Sequence, residues 1–128
     1  MSGINKVMLV GHIGKEPDLR HLTDYVPVLS FPLATSEMIS RHGNKEEQTE
    51  WHNIIMWRSL AESGHRILQK GLLICIEGKV RTRSFEDKSG IKRYTTEIVA
   101  DSFTVLGRSS DFKDEPLINR NSFESKKK

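Results

Sequence analysis

The sequence has little of what disulfide-bonded, metal-binding or membrane-spanning proteins require. Cys75 is the single cysteine, so no disulfide framework can form within the chain. No second cysteine and no close histidine pair stand at metal-ligand spacing, so we expect no zinc site. The longest apolar run, residues 72–76, is far too short to cross a bilayer, and the first residues contain no apolar signal-peptide core. These absences favour a cytoplasmic protein with no membrane partner.

The positive charge is modest and is concentrated at the end of the chain. The 128 residues carry a net charge of +3, and residues 108–128 hold six basic and four acidic side chains. The preceding residues therefore carry only about one net positive charge, so binding to nucleic acid would depend on where the charges are placed. We expect one domain over residues 1–107 and a flexible charged tail over residues 108–128.

The apolar pattern predicts an all-β domain with one short helix. We expect β-strands at residues 4–10, 26–35, 51–57, 72–85 and 94–106. The polar stretch at 37–48 is interpreted as a long hairpin loop, and residues 87–92, which begin D-K-S-G, as a turn with Gly90 at its positive-φ position. A helix is predicted over 59–70, with Ser59 as its cap and Gly71 at its end. This order is typical of an OB-fold, a five-stranded Greek-key barrel with a helix between strands 3 and 4.

Two tryptophans share one face of the predicted third strand. Side chains alternate between the faces of a strand, so Trp51, Asn53, Ile55 and Trp57 fall together and His52 falls on the other side. On the fourth strand the same rule groups three cations with one ring: Lys79, Arg81, Arg83 and Phe85.

Such a combination suits single-stranded nucleic acid. Every base has a flat π-face that stacks on aromatic side chains, while Lys and Arg neutralise the phosphates between them. Each set also has a plainer interpretation, because a tryptophan can belong to the core and a basic ladder can be a solvated strand face. The combination favours a binding surface over these alternatives.

The sequence contains no coherent set of residues for a phosphate loop or for a hydrolase. The glycines of G-H-I-G-K at 11–15 lie too close together for a phosphate loop, and Glu16 stands where Ser or Thr is needed. The acidic residues Glu46, Glu47 and Glu50 are interpreted as a solvated run, and no Ser/His/Asp order indicates a hydrolase.

Five segments together resemble the bacterial single-stranded DNA-binding protein family. They are I-N-K-V-M-L-V-G-H-I-G-K-E-P-D-L-R (4–20), A-T-S-E (34–37), E-Q-T-E-W-H (47–52), I-E-G-K-V-R-T-R-S-F (76–85) and Y-T-T-E-I-V (94–99). The resemblance runs from about residue 3 to residue 106. It implies a homotetramer that coats single-stranded DNA during replication, recombination and repair, with no enzymatic activity and no cofactor.

The resemblance also implies roles for individual residues. The base-stacking aromatics of the family correspond to Trp51, Trp57 and Phe85, and a histidine near a subunit contact corresponds to His52. Basic positions that match the family pattern are Lys6, Arg20, Lys70, Arg81 and Arg83. Arg58 is added because it adjoins Trp57, and Lys79 because it shares the face of the basic ladder.

The chain departs from the family in two places. Ile39 occupies a further stacking position that is usually Trp, so we expect weaker binding there. The family usually ends in an acidic tip that recruits replication and repair proteins, whereas this sequence ends in three lysines. Two interpretations of that lysine run stay open, namely added phosphate affinity and a solvated end.

Two other functions compete with DNA coating. A primosome-type OB adaptor would act mainly through protein contacts and bind DNA weakly, which the missing acidic tip and Ile39 slightly favour. A nuclease with an OB domain would need an acid, metal or nucleophile set, and the sequence offers none that is coherent.

Overall fold

The computed structural model describes residues 2–108 and shows six strands and one α-helix. The elements are β1 (Val7–Ile13), β2 (Asp18–His21), β3 (Pro27–Arg41), β4 (Asn44–Trp57), α1 (Arg58–Ile67), β5 (Leu72–Glu86) and β6 (Lys92–Arg108). A 3-10 turn at Thr23–Tyr25 joins β2 to β3. Arg108, the first residue of the tail predicted over 108–128, ends β6, and the rest of that tail lies outside the described residues.

The strands close into a barrel in the order β1-β5-β6-β4-β3, and β3 returns to β1. Two residue pairs between β1 and β3 close it, His12↔Ala34 and Ile13↔Leu33. The short β2 pairs with the first part of β3 and is one strand more than the sequence predicted. The OB-fold prediction is confirmed, because five long strands form the barrel and the helix lies between the third and fourth of them.

The barrel interior is filled by side chains from every long strand. The largest fully buried ones are Ile13, Leu29, Leu33, Ile54, Met56, Ile74 and Ile76. Helix α1 covers one end of this core with Ala61, and Leu68, which follows the helix, packs there as well. Gly64 allows the close approach, because a Cβ there would lie 2.8 Å from Leu29 Cδ2. No helix within residues 2–108 is long and apolar enough to span a membrane.

The polar stretch at 37–48 is not a loop, so that prediction was wrong. β3 and β4 continue past the barrel in unbroken register to a two-residue turn at His42 and Gly43, both with positive φ. We call this extension, residues 36–49, the first ribbon. The strand signal is weak there because neither face is buried and the apolar alternation therefore disappears.

A second extension leaves the barrel between β5 and β6. Its strands pair from Arg81↔Glu97 to Glu86↔Lys92, and the predicted turn with Gly90 at positive φ joins them. We call residues 81–97 the second ribbon. The predicted Ser59 cap was wrong, because α1 begins one residue earlier, with Trp57 at the cap position and no side-chain cap bond.

The barrel closure depends on the absence of a side chain at Gly11. A Cβ at this position would overlap the carbonyl oxygen of Ala34 and lie 3.2 Å from Thr35 Cγ2. We expect Gly11→Ala to lower the free energy of unfolding by about 1–3 kcal/mol, as overpacking does. Urea denaturation at fixed protein concentration measures this change.

Gly3→Ala is the matched control, because a Cβ at exposed Gly3 meets nothing within 4 Å. We expect this variant to unfold at the wild-type urea concentration. A Gly11→Ala protein as stable as the control would contradict the close crossing of β1 and β3.

Candidate nucleic-acid interface

One row of paired residues aligns the aromatic strand with the basic strand. Ser30 of β3 pairs with Ile55 of β4, Ile55 pairs with Val99 of β6, and Val99 pairs with Lys79 of β5. Directly paired residues point to the same side of a sheet. The tryptophans of β4 and the basic ladder of β5 therefore lie on one continuous outer face, with β6 between them.

We call this surface the binding face. From the residues proposed above it comprises Trp51, Trp57, Lys79, Arg81, Arg83 and Phe85. On the opposite side of β4, Ile54 and Met56 are fully buried in the core. The period of two places Ile54 and Met56 on the core side, while Ile55, on the side of the tryptophans, is also largely covered, at 9% exposed.

Trp51 is the more exposed of the two tryptophans. Its side chain is 62% exposed, and a Cβ on Gly14 would lie 2.8 Å from its Cη2 atom. The indole therefore rests against the backbone of Gly14 and leaves much of its surface in water. Trp57 is half-buried, so less of its surface is open to a ligand.

The second ribbon carries the basic ladder and its terminal ring. Phe85 is 46% exposed, and Lys79 and Arg81 are exposed cations that form no ion pair within residues 2–108. Arg83 differs, because its Nε donates to the Glu97 carboxylate at 2.8 Å, and the Glu97 side chain is only 5% exposed. Arg83 is therefore both a member of the face and the partner of a buried charge.

Asp87 organises the turn at the tip of the second ribbon. Its carboxylate accepts the backbone N–H groups of Ser89 and Ile91 and the Nε–H of Arg93 at 2.8 Å. The Arg93 guanidinium, followed by the Ile91 N–H, holds the pKa of Asp87 below its ordinary 3.8. A lowered folded-state pKa adds stability at neutral pH that is lost as the pH falls through that value, so the turn should loosen only in acid.

The remaining basic residues are placed less uniformly. Arg20 shares a row with Val28 and Trp57, although its Nε is paired with Asp18 at 2.8 Å. Arg58 follows Trp57 directly, is exposed and has a φ of 57°.

Lys6 and Lys70 lie outside the strand pairs that define the binding face. Lys6 precedes β1 and approaches Glu77 at 3.4 Å. Lys70 follows α1, and its backbone N–H donates to Glu16 at 3.2 Å. Glu16 follows Gly14, against which the Trp51 indole rests, by two residues.

His52 and Ile39 lie on the sides opposite the binding face. Half-buried His52 forms a 2.8 Å hydrogen bond between its Nε2 and the hydroxyl of Thr35. Ile39 pairs with Glu46, and in this register the exposed Met38, not Ile39, shares the side of Trp51. The register therefore gives Ile39 no place beside Trp51.

Charge separates the two ribbons. The first ribbon has three acidic and two basic residues, whereas the second has five basic and three acidic residues. A polyanion is therefore attracted to the second ribbon and not to the first. No group of three or more His, Cys, Asp or Glu side chains within residues 2–108 is arranged to hold a metal ion.

Sequence reasoning missed Glu97 and Asp87 as organisers of the site. The segment D-K-S-G was recognised as a turn, but its pattern does not show which backbone donors the carboxylate accepts. Glu97 sits in the β-rich run T-T-E-I-V, and its burial becomes evident only from the pairing of β5 with β6.

Comparison with known proteins gives one consistent family. Residues 4–106 match the family described as "Single-strand binding protein family". A Xylella fastidiosa protein named single-stranded DNA-binding protein 1 is 42% identical over 113 residues, which are 87% of this chain and 83% of that protein. A Chlorobaculum tepidum protein of the same name is 46% identical over 107 residues, covering 82% of this chain and 66% of its own length.

The fold is also similar to solved structures of proteins named for binding single-stranded DNA. A solved structure described as the Plasmodium falciparum SSB complex with ssDNA superposes with a TM-score of 0.77 at 27% sequence identity. The match covers 83% of this chain and 97% of the Plasmodium chain.

The ion pair with Glu97 predicts that Arg83 contributes more to the stability of the fold than Arg81 does. Arg83→Ala leaves a nearly buried carboxylate without its partner, so we expect a loss of about 1–3 kcal/mol in the free energy of unfolding. Arg81→Ala, on the same strand face, should change stability by less than about 0.5 kcal/mol. Urea unfolding of both variants tests the assignment, and equal losses would contradict it.

Proposed function

The chain belongs to the single-strand binding protein family, and we propose that it binds and coats single-stranded DNA without strong sequence preference. The observation that carries the proposal is the row from Ser30 to Lys79, which aligns two indoles, three cations and a phenyl ring on one face. The adaptor hypothesis is not favoured, since the relatives are named for binding single-stranded DNA.

Binding proceeds by electrostatic capture followed by stacking. Exposed Lys79 and Arg81 attract phosphates and release condensed counterions, and Arg83 adds the donors that Glu97 leaves free. Bases then stack on Trp51, Phe85 and the open part of Trp57, since every base offers a π-face. Duplex DNA cannot use this face in the same way, because its bases are already stacked on each other.

The other basic residues extend this path. Arg20 shares the row of Trp57 and Arg58 follows Trp57 in the chain, while Lys6 and Lys70 would contact DNA that continues past the paired strands. The protein performs no covalent chemistry in this proposal and needs no cofactor. It acts on DNA exposed during replication, recombination and repair, in the cytoplasm, together with proteins of those processes.

A second exposed face supports assembly into the homotetramer. Met8 and Val10 on β1 are 59% and 50% exposed, and Val10 pairs with half-buried Cys75 on β5. An apolar sheet face of this kind is stabilised by burial against another copy. His52 is proposed to lie at a subunit contact, although its bond to Thr35 also serves the single chain.

Tryptophan fluorescence tests the DNA-binding proposal. We expect oligo-dT to quench the emission strongly, duplex DNA to leave it unchanged, and added salt to weaken the single-strand affinity.

Trp51→Ala should cost about 1–3 kcal/mol of binding free energy, the value of one stacked base. Arg81→Ala should reduce the salt slope by about one.

Ser84→Ala is the control, because Ser84 lies on the other face of the second ribbon. Its affinity and salt slope should match those of the unmodified protein. Absence of quenching and binding would overturn the proposal, and so would equal quenching by duplex DNA.

Light scattering tests the assembly face. We expect the unmodified chain to have the mass of a tetramer and Val10→Arg to have a smaller mass, because a charge would be buried in an apolar contact. Met38→Arg is the control, since Met38 is similarly exposed but lies on the first ribbon. An unchanged mass for Val10→Arg would exclude this face, and an unchanged mass for His52→Ala would exclude only His52.

A further inference from the structure

The turn between β2 and β3 exposes an aromatic ring that the binding face does not include. Tyr25 is 86% exposed, more than any other aromatic side chain within residues 2–108. The turn is short and closed, because Leu22 accepts the Tyr25 N–H at 2.8 Å and donates its own N–H to Val26 at 3.0 Å. The ring therefore projects from a defined turn.

The backbone of this turn is strained at the tyrosine. Asp24 and Tyr25 have φ values of 73° and 60°, in the left-handed region. Aspartate tolerates this region, whereas a bulky side chain is unfavourable there and glycine would fit without steric cost. Because the exposed ring adds nothing to the core that would offset this strain, the strain raises the hypothesis that the side chain serves a function.

The turn lies at the end of the sheet where the binding face continues. Trp57 pairs with Val28, and Val28 pairs with Arg20, so these three form one row across β4, β3 and β2. Tyr25 precedes Val28 by three residues, so the two lie at most roughly 10 Å apart, the span of three fully extended residues. Arg58 follows Trp57 toward the same end, and it forms no ion pair within residues 2–108.

We propose that Tyr25 is an additional stacking platform for an unpaired base of the single strand that passes Trp57. This inference rests on the proposed function and adds a contact to it. The ring supplies the stacking surface, and Arg58 supplies a cation for the adjoining phosphate. Asp24 places a negative charge beside the ring, so the contact of Tyr25 is with the base and not with a phosphate.

Salt-dependent titration with oligo-dT separates this contact from charge capture. We expect Tyr25→Ala to lower the affinity about fivefold or more, the lower end for one stacked base. The factor should be the same at low and high salt, and the salt slope should not change. Tyr25→Phe should retain the affinity, because the ring remains.

Tyr25→Gly distinguishes lost stacking from a damaged fold. Glycine relieves the left-handed strain, so the melting temperature should rise by about 4 °C or more while the affinity falls as in Tyr25→Ala. Tyr94→Ala is the matched control, since Tyr94 is also exposed but pairs with Ser84 on the other face of the second ribbon. Unchanged affinity in Tyr25→Gly would overturn the inference.

Photocrosslinking locates the contact directly. An oligo-dT that contains 5-iodouracil is irradiated on the protein, and the crosslinked residues are mapped by mass spectrometry. We expect crosslinks at Tyr25 as well as at Trp51 or Phe85. Crosslinks at Trp51 or Phe85 without any at Tyr25 would overturn this inference and leave the proposed function intact. Absence of both binding and crosslinks would overturn the proposed function itself.

Discussion

The parallel pairing of β4 with β6 is the interaction on which the binding face depends. It consists of two residue pairs, Ile54↔Ile98 and Ile55↔Val99. Strands alternate their side chains, so a slip of one residue here would turn Trp51 and Trp57 away from the basic ladder. Because Ile54 is fully buried and its partner Ile98 is nearly so, the core fixes the register, and through it the positions of the aromatic and basic side chains.

The fold and much of the site could be predicted because burial imposes a pattern on the sequence. Where β4 crosses the barrel, Ile54 and Met56 alternate with outward residues, and the strand and its faces follow directly. The first ribbon has no buried face, so residues 37–48 lacked that pattern and were interpreted as a loop. The Arg83–Glu97 pair was hidden because it depends on pairing between distant strands.

Some polar side chains of the second ribbon stabilise its shape, and others are available to contact a ligand. Asp87 fixes the turn through Ser89, Ile91 and Arg93, and Glu97 holds Arg83 at the base. These contacts limit the freedom of a two-stranded extension, which is only marginally stable alone. A ribbon ordered in advance loses less conformational entropy when it binds a ligand.

Among residues 2–108, the two ribbons also leave strand edges without neighbours, since each pairs only within itself beyond the barrel. Open edges of this kind invite strands of other molecules to add to them, and charged side chains are the usual guard against such growth. Arg81 and Lys92 on one ribbon, and Glu37 and Lys45 on the other, are placed to give that protection. Arg81 is therefore placed both to attract DNA and to guard an open edge, and we expect a substitution that neutralises it to lower solubility together with affinity.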